Sequence, residues 1–91
     1  MNFIFRSFGV KPLRIYWSGD AKNIIGPKIR RLRTERKLTQ KALAERLQLD
    51  GYDFTDLTIL RIENGTRFVP DYEVKALAKN LGVSYADLLD E

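Results

Sequence analysis

The side chains best suited to chemistry in this sequence are lysines and arginines, because histidine and cysteine are both absent. Residues 27–49 hold eight of these bases against two acids, a net charge of +6, whereas residues 50–91 carry −5. A basic front half and an acidic back half favour a phosphate-bearing partner that approaches from one side. The alternative is a solvated helix face, which is the commoner meaning of a run of charge.

The missing residue types also limit which other functions the chain can have. Without cysteine there is neither a disulfide framework nor a thiolate metal site. Without histidine the commonest general base and metal ligand are lost. We find no paired carboxylates and no phosphate-cradling glycine loop. We therefore predict no enzyme activity, no catalytic residue, no metal and no cofactor.

Length and hydropathy predict a single domain outside the membrane. Ninety-one residues suffice for one core of four or five helices. No apolar run reaches the roughly eighteen residues of a membrane-spanning helix. The apolar residues 1–17 are interrupted by Arg6, Lys11, Pro12 and Arg14, which argues against a signal peptide. We expect a cytoplasmic protein without a membrane partner.

The stretch from residue 38 to residue 65 predicts two short helices joined by a turn. Thr39 can cap the first helix, along which Leu43 and Leu47 form an apolar stripe. Thr55 can cap the second helix, whose inward positions are Ile59 and Ile62. Left-handed glycines are expected to end these helices, at Gly51 and at Gly65.

Three further helices complete the predicted core. The first covers residues 27–37, with Pro27 in its opening turn and Ile29 and Leu32 facing inward. Another covers residues 71–81 and should bury Val74, Leu77, Ala78 and Leu81. A last short helix begins after Ser84, with Asp87 completing a capping box.

Three segments together carry a family resemblance. LTQKALAERL, TDLTILRIENG and YEVKALAKNLGVSYADLL resemble the Cro/phage-repressor (Xre-like) helix-turn-helix family over residues 24–89. This resemblance implies an all-α, five-helix, lambda-repressor-like DNA-binding domain over residues 23–91. An extended arm, residues 1–22, would precede it.

The resemblance also implies roles for individual residues. In the major groove it places Thr55, Asp56, Leu57 and Arg61 against base edges. Arg61 is the best candidate, since its planar guanidinium can donate two hydrogen bonds to guanine. Asp56 could accept from cytosine, but capping of its own helix is the simpler role.

Other matched positions imply phosphate contacts and one structural pair. The phosphate contacts would be Thr39, Gln40, Lys41, Asn64, Thr66 and Arg67. Arg33 and Glu63 would form an ion pair that sets how the first helix packs on the third.

The turn between the two central helices is longer than is common in the family. Seven residues, 48–54, separate Leu47 from Thr55. The resemblance predicts an extra turn on the second helix, with Leu49 packed, and Phe54 in the core. Leu57 and Leu60 stand where polar residues are common. Leu57 could touch a thymine methyl group, or both leucines could pack under the insertion.

The N-terminal arm is more apolar than a simple tail. Residues 3–5 and 13–16 resemble short strands separated by Gly9 and Pro12. The arm could be disordered, dock on the helical core, pair across a dimer, or be a translated leader. It is also a candidate surface for a protein partner.

Taken together, the sequence predicts a sequence-specific, double-stranded-DNA-binding transcriptional regulator, most simply a repressor. It would bind as a homodimer to a pseudo-palindromic site, with half-sites about 34 Å apart. The alternative is a protein-interaction module or antitoxin that keeps the same fold. The apolar Leu57 and Leu60 and the aromatic arm favour that second hypothesis.

Overall fold

The computed structural model describes residues 21–90 and contains five α-helices in that range. They are α1 (Gly26–Glu35), α2 (Gln40–Leu49), α3 (Asp56–Glu63), α4 (Asp71–Leu81) and α5 (Tyr85–Leu89). No strand occurs between residues 21 and 90, so the predicted all-α, five-helix fold is confirmed for this range. The strands predicted in the arm, and all of the arm before residue 21, lie outside the described residues.

One apolar core joins all five helices. The predicted inward positions of α1, α2, α3 and α4 are buried, because residues three or four apart share one helical face. The largest fully buried side chains are Ile25, Ile29, Leu43, Leu47, Phe54, Ile59, Ile62, Leu77, Leu81 and Leu88.

Hydroxyl side chains begin three of the helices, as predicted. Thr39 Oγ1 accepts from the backbone N–H of Ala42 at 2.9 Å, and Ser84 Oγ accepts from that of Asp87 at 3.0 Å. Asp87 Oδ2 accepts in return from the Ser84 N–H at 3.2 Å, which completes a capping box. These caps satisfy backbone donors that have no partner within the helix.

A left-handed residue follows α1, α2, α3 and α4, and the next N–H bonds to the carbonyl five residues earlier. At α1 the left-handed residue is Lys37, with φ +57°, so this helix ends at Glu35 and not at Lys37 as predicted. The Leu38 N–H donates to the Arg33 carbonyl at 3.0 Å. After α2 the same position holds Gly51, with φ +93°.

Asn23 and Gly26 hold the start of α1 against the end of α3. Asn23 Nδ2 donates to the carbonyls of Ile62, at 3.1 Å, and Arg67, at 2.8 Å. Its Oδ1 accepts from the Gly26 N–H at 2.8 Å. A Cβ atom on Gly26 would overlap the Ile62 carbonyl oxygen and lie 2.9 Å from that of Glu63. The two helices meet this closely because a glycine stands at the contact.

The insertion between α2 and α3 packs differently from the prediction in one respect. Phe54 is buried as expected, and Gln48 Nε2 donates to its carbonyl at 2.6 Å. Leu49, which was predicted to be packed, is 88% exposed. This prediction was wrong because Leu49 follows the inward Leu47 by two residues, about 200° around the helix.

Asp50 ties the end of α2 to α4. Asn80 Nδ2 donates to Asp50 Oδ2 at 2.9 Å, and Lys79 Nζ lies 3.5 Å from Asp50 Oδ1. The hydrogen bond from Asn80, assisted by the charge of Lys79, lowers the pKa of the Asp50 carboxyl. These contacts join the end of α2 to the last turn of α4.

Replacing Gly26 by alanine should destabilise the fold, since the new methyl group meets backbone that cannot move alone. We expect a loss of about 1–3 kcal/mol in the free energy of unfolding, measured by urea titration. Lys75→Ala on the exposed face of α4 is the control and should stay within about 0.5 kcal/mol of the parent. An unchanged midpoint for Gly26→Ala would contradict the close helix contact.

Lys37→Gly should have the opposite effect. A left-handed conformation costs a lysine about 1–2 kcal/mol, which a glycine avoids. Part of the resulting gain in the free energy of unfolding is offset by the greater entropy of glycine in the unfolded chain. We expect a net stabilisation of about 0.5–1 kcal/mol by the same titration. Lys75→Gly within α4 is the matched change and should lose about 0.5–1 kcal/mol. Equal signs for the two variants would exclude a left-handed Lys37.

Candidate nucleic-acid interface

The outer face of α3 presents one exposed stripe. Its members are Asp56, Leu57, Leu60, Arg61 and Asn64. An α-helix turns about 100° per residue, so these positions fall within a sector of about 140°. The opposite face buries Ile59 and Ile62 completely. α3 therefore offers a single continuous surface to a ligand while its other side anchors it in the core.

Thr55, which precedes α3, and Asp56, its first residue, use their side chains to begin the helix. Thr55 Oγ1 accepts from the Thr58 N–H at 3.3 Å, and Thr58 Oγ1 accepts from the Thr55 N–H at 3.0 Å. Asp56 Oδ1 accepts from the Leu57 N–H at 2.9 Å. Both Thr55 and Asp56 are exposed, but their side chains already serve the N-terminal turn.

Unlike Arg33 and Arg67, Arg61 has no partner of opposite charge among residues 21–90. It is exposed, and no carboxylate lies within ion-pair distance of it among residues 21–90. Arg33 and Arg67 are both bound to glutamates. The guanidinium of Arg61 is thus available to donate to an external acceptor.

The first turn of α2 lies beside α3. Gln40 is half-buried, and its Nε2 donates to Glu63 Oε1 at 3.1 Å. Lys41 is exposed, and Thr39 caps the helix. The backbone N–H groups of this turn and the helix dipole favour an anion here. Because Gln40 bonds to Glu63, this anion-binding end is held at a fixed position next to the stripe on α3.

A buried ion pair holds α1, α2 and α3 together. Arg33 Nε donates to Glu63 Oε2 at 2.6 Å, and Arg33 Nη2 donates to Oε1 at 3.1 Å. The Arg33 and Glu63 side chains are only 11% and 4% exposed. Arg33 Nη1 also donates to the Leu38 carbonyl at 2.8 Å. The structure thus brings together the two residues that the resemblance paired.

The three predicted phosphate contacts after α3 do not share the same surroundings. Asn64 Oδ1 accepts from the N–H and hydroxyl of Thr66, at 3.1 and 2.7 Å, and both residues are exposed. Arg67 instead donates to Glu73 at 2.7 Å and lies over the Phe54 ring, 5.2 Å from its centre. The structure therefore gives Arg67 a packing role, because the loop turns its side chain toward α4.

Arg30 is a candidate that sequence reasoning missed. It is exposed and lines a cleft of about 200 Å³ with Gln40, Leu60 and Asn64. No carboxylate pairs with it in the described part of the chain. Its position three residues before Arg33 places both on one face of α1, a signal available in the sequence.

Comparison with known proteins agrees with this arrangement. The sequence model of a family described as "Helix-turn-helix domain" matches residues 26–91. The chain belongs to this helix-turn-helix family. No curated protein and no solved structure matches it. Helix-turn-helix domains are DNA-binding modules, so membership of this family supports DNA binding.

Residues 21–90 contain neither a membrane-spanning helix nor a metal-binding cluster. No helix between residues 21 and 90 combines the length and the apolar character needed to cross a bilayer. Over the same residues, no three His, Cys, Asp or Glu side chains cluster closely enough to hold a metal ion.

Breaking the Arg33–Glu63 pair should be costly, since it leaves a charge buried without its partner. We expect Arg33→Ala to lose about 3–5 kcal/mol in the free energy of unfolding. Arg31→Ala is the matched control, because Arg31 and Glu35 are 61% and 57% exposed and 3.8 Å apart. Loss of that surface pair should cost less than about 1 kcal/mol. Similar losses in the two variants, measured by urea titration, would contradict a structural role for the buried pair.

Proposed function

We propose that this protein is a sequence-specific transcriptional regulator, a repressor, that reads the major groove of double-stranded DNA with α3. The observation that carries the proposal is the position of the unpaired Arg61 on an exposed helical face, next to the anion-binding start of α2. Helix-turn-helix domains dock with one helix inserted in the major groove of DNA and a second helix on the DNA backbone. We place the chain in the Cro/phage-repressor (Xre-like) branch of the family.

Base contacts are assigned to Thr55, Asp56, Leu57 and Arg61. Arg61 has the most weight, since a bidentate arginine–guanine contact contributes about 1–3 kcal/mol of discrimination. Thr55 and Asp56 keep lone pairs beyond those used in capping, so they can accept from base amino groups.

Phosphate contacts are assigned to Thr39, Gln40, Lys41, Asn64 and Thr66, which flank the stripe on α3. We add Arg30 for its place in the same cleft as Gln40 and Asn64. Arg67 is left out because Glu73 holds its guanidinium.

As a regulator, the protein would act in the cytoplasm as a homodimer on a pseudo-palindromic operator. The two α3 helices would enter successive major grooves about 34 Å apart. Occupation of such a site at a promoter blocks access to it, which is the simplest way for one small domain to repress.

A second candidate function is supported by exposed apolar side chains. Ile24 is 52% and Phe68 69% exposed, and Leu57 and Leu60 are nearly half exposed. Exposed apolar side chains of this size also suit a protein-interaction module or an antitoxin. Residues 1–22 would then supply a further surface for a protein partner.

In vitro selection from a random duplex library tests the DNA-binding function. The wild type should enrich a two-fold-symmetric motif at near-physiological salt. Arg61→Ala should lose about 1–3 kcal/mol of discrimination at one position in each half-site. The absence of any enriched motif, with only salt-sensitive bulk binding, would refute sequence-specific recognition and favour the protein-interaction function.

Lys41→Ala is the matched control, because it also removes one positive charge from the same surface. It should weaken binding to all sequences alike and reduce the log–log salt slope by about one unit. An equal loss of sequence discrimination in Lys41→Ala and Arg61→Ala would contradict the division into base and phosphate contacts.

A further inference from the structure

Two leucines form an apolar patch in the middle of the proposed DNA-facing surface. Leu57 is 46% and Leu60 43% exposed, so the insertion does not cover them as one alternative predicted. They are three residues apart on α3, which places their Cβ atoms about 5–6 Å from each other. Leu57 and Leu60 thus present adjacent methyl groups on the stripe that carries Arg61.

The surroundings of this patch are basic and polar, apart from the exposed Asp56 next to Leu57 on the stripe. Leu60 lines the cleft that also contains Arg30, Gln40 and Asn64. Arg30, Lys41 and Arg61 have no acidic partner among residues 21–90. An apolar patch among unpaired cations suits a ligand that has phosphates around a small apolar feature, and double-stranded DNA is such a ligand.

The major groove offers only one apolar group for a leucine to contact. Each base edge there consists of hydrogen-bond donors and acceptors, apart from the C5-methyl group of thymine. A leucine cannot satisfy those donors or acceptors, so it disfavours the bases that present them. Successive bases on a strand are about 3.4 Å apart along the axis, which lets two leucines one helical turn apart meet two neighbouring methyl groups.

We infer that Leu57 and Leu60 together read thymine methyl groups on neighbouring base pairs of each half-site, beside the guanine bound by Arg61. Leu60 thereby becomes a specificity-determining residue in addition to the base contacts assigned above. This inference rests on the proposed function and specifies the bases that α3 selects.

Replacement of thymine by deoxyuridine tests this inference, since it removes the methyl group and leaves every hydrogen bond. Each thymine of the selected site is replaced in turn, and binding is measured by titration of a labelled duplex. At two neighbouring positions we expect about fourfold weaker binding per methyl group, with an unchanged salt slope. The remaining thymines should tolerate the change.

Leucine variants then assign each methyl group to its side chain. In Leu57→Ala and in Leu60→Ala, the deoxyuridine penalty should disappear at the position that the missing leucine contacts. Leu49→Ala is the matched control, because Leu49 is an 88% exposed leucine on the outer face of α2. It should keep both penalties, and circular dichroism should show the same helix content in all three variants.

The outcomes separate this inference from the proposed function. A selected motif whose thymines all tolerate deoxyuridine, or a penalty that persists when both leucines are alanine, would overturn the methyl readout and leave DNA binding intact. A motif without neighbouring thymine methyl groups would do the same. Failure of the library to yield any motif would overturn both.

Discussion

The buried Arg33–Glu63 ion pair is the interaction on which the rest of this structure depends. Glu63 is the last residue of α3, and its carboxylate accepts from Arg33 in α1 and from Gln40 at the start of α2. One side chain therefore fixes the positions of three helices. Because both charges are removed from water, neither can be lost alone without leaving the other unsatisfied. The relative placement of the first turn of α2 and the exposed stripe of α3 follows from this contact.

A second junction keeps the same end of α3 in place. Asn23 bridges the Ile62 and Arg67 carbonyls, and Gly26 lets the backbone of α1 approach without a side chain between. At the other end, Thr55 caps α3 and Phe54 anchors the preceding turn in the core. With both ends and one face of α3 held, only the outer stripe is left for a ligand. Such a rigid presentation limits the conformational entropy lost on binding.

The ion-pair partners of the individual arginines indicate more about the ligand than the number of positive charges does. Arg33 and Arg67 are bound to buried glutamates and hold helices in place. Arg30 and Arg61 have no such partner among residues 21–90 and face outward on the side of α3. A net charge of +4 is compatible with many functions, whereas two unpaired guanidiniums flanking an apolar patch restrict the chemistry of the ligand.

The sequence alone determined where α2, α3 and α4 begin and end and which side chains form the apolar stripes, whereas α1 ends at Glu35, two residues before its predicted end. Thr39, Thr55 and Ser84 cap their helices, Gly51 ends α2, and the apolar stripes are buried, because these effects act over about five residues or one helical turn. Contacts between distant segments were decided only by the tertiary structure. Arg67 turns to Glu73, Asn23 joins α1 to α3, and Arg30 lies beside Gln40. These depend on the angles at which the helices pack, which arise from the whole core and not from any local pattern.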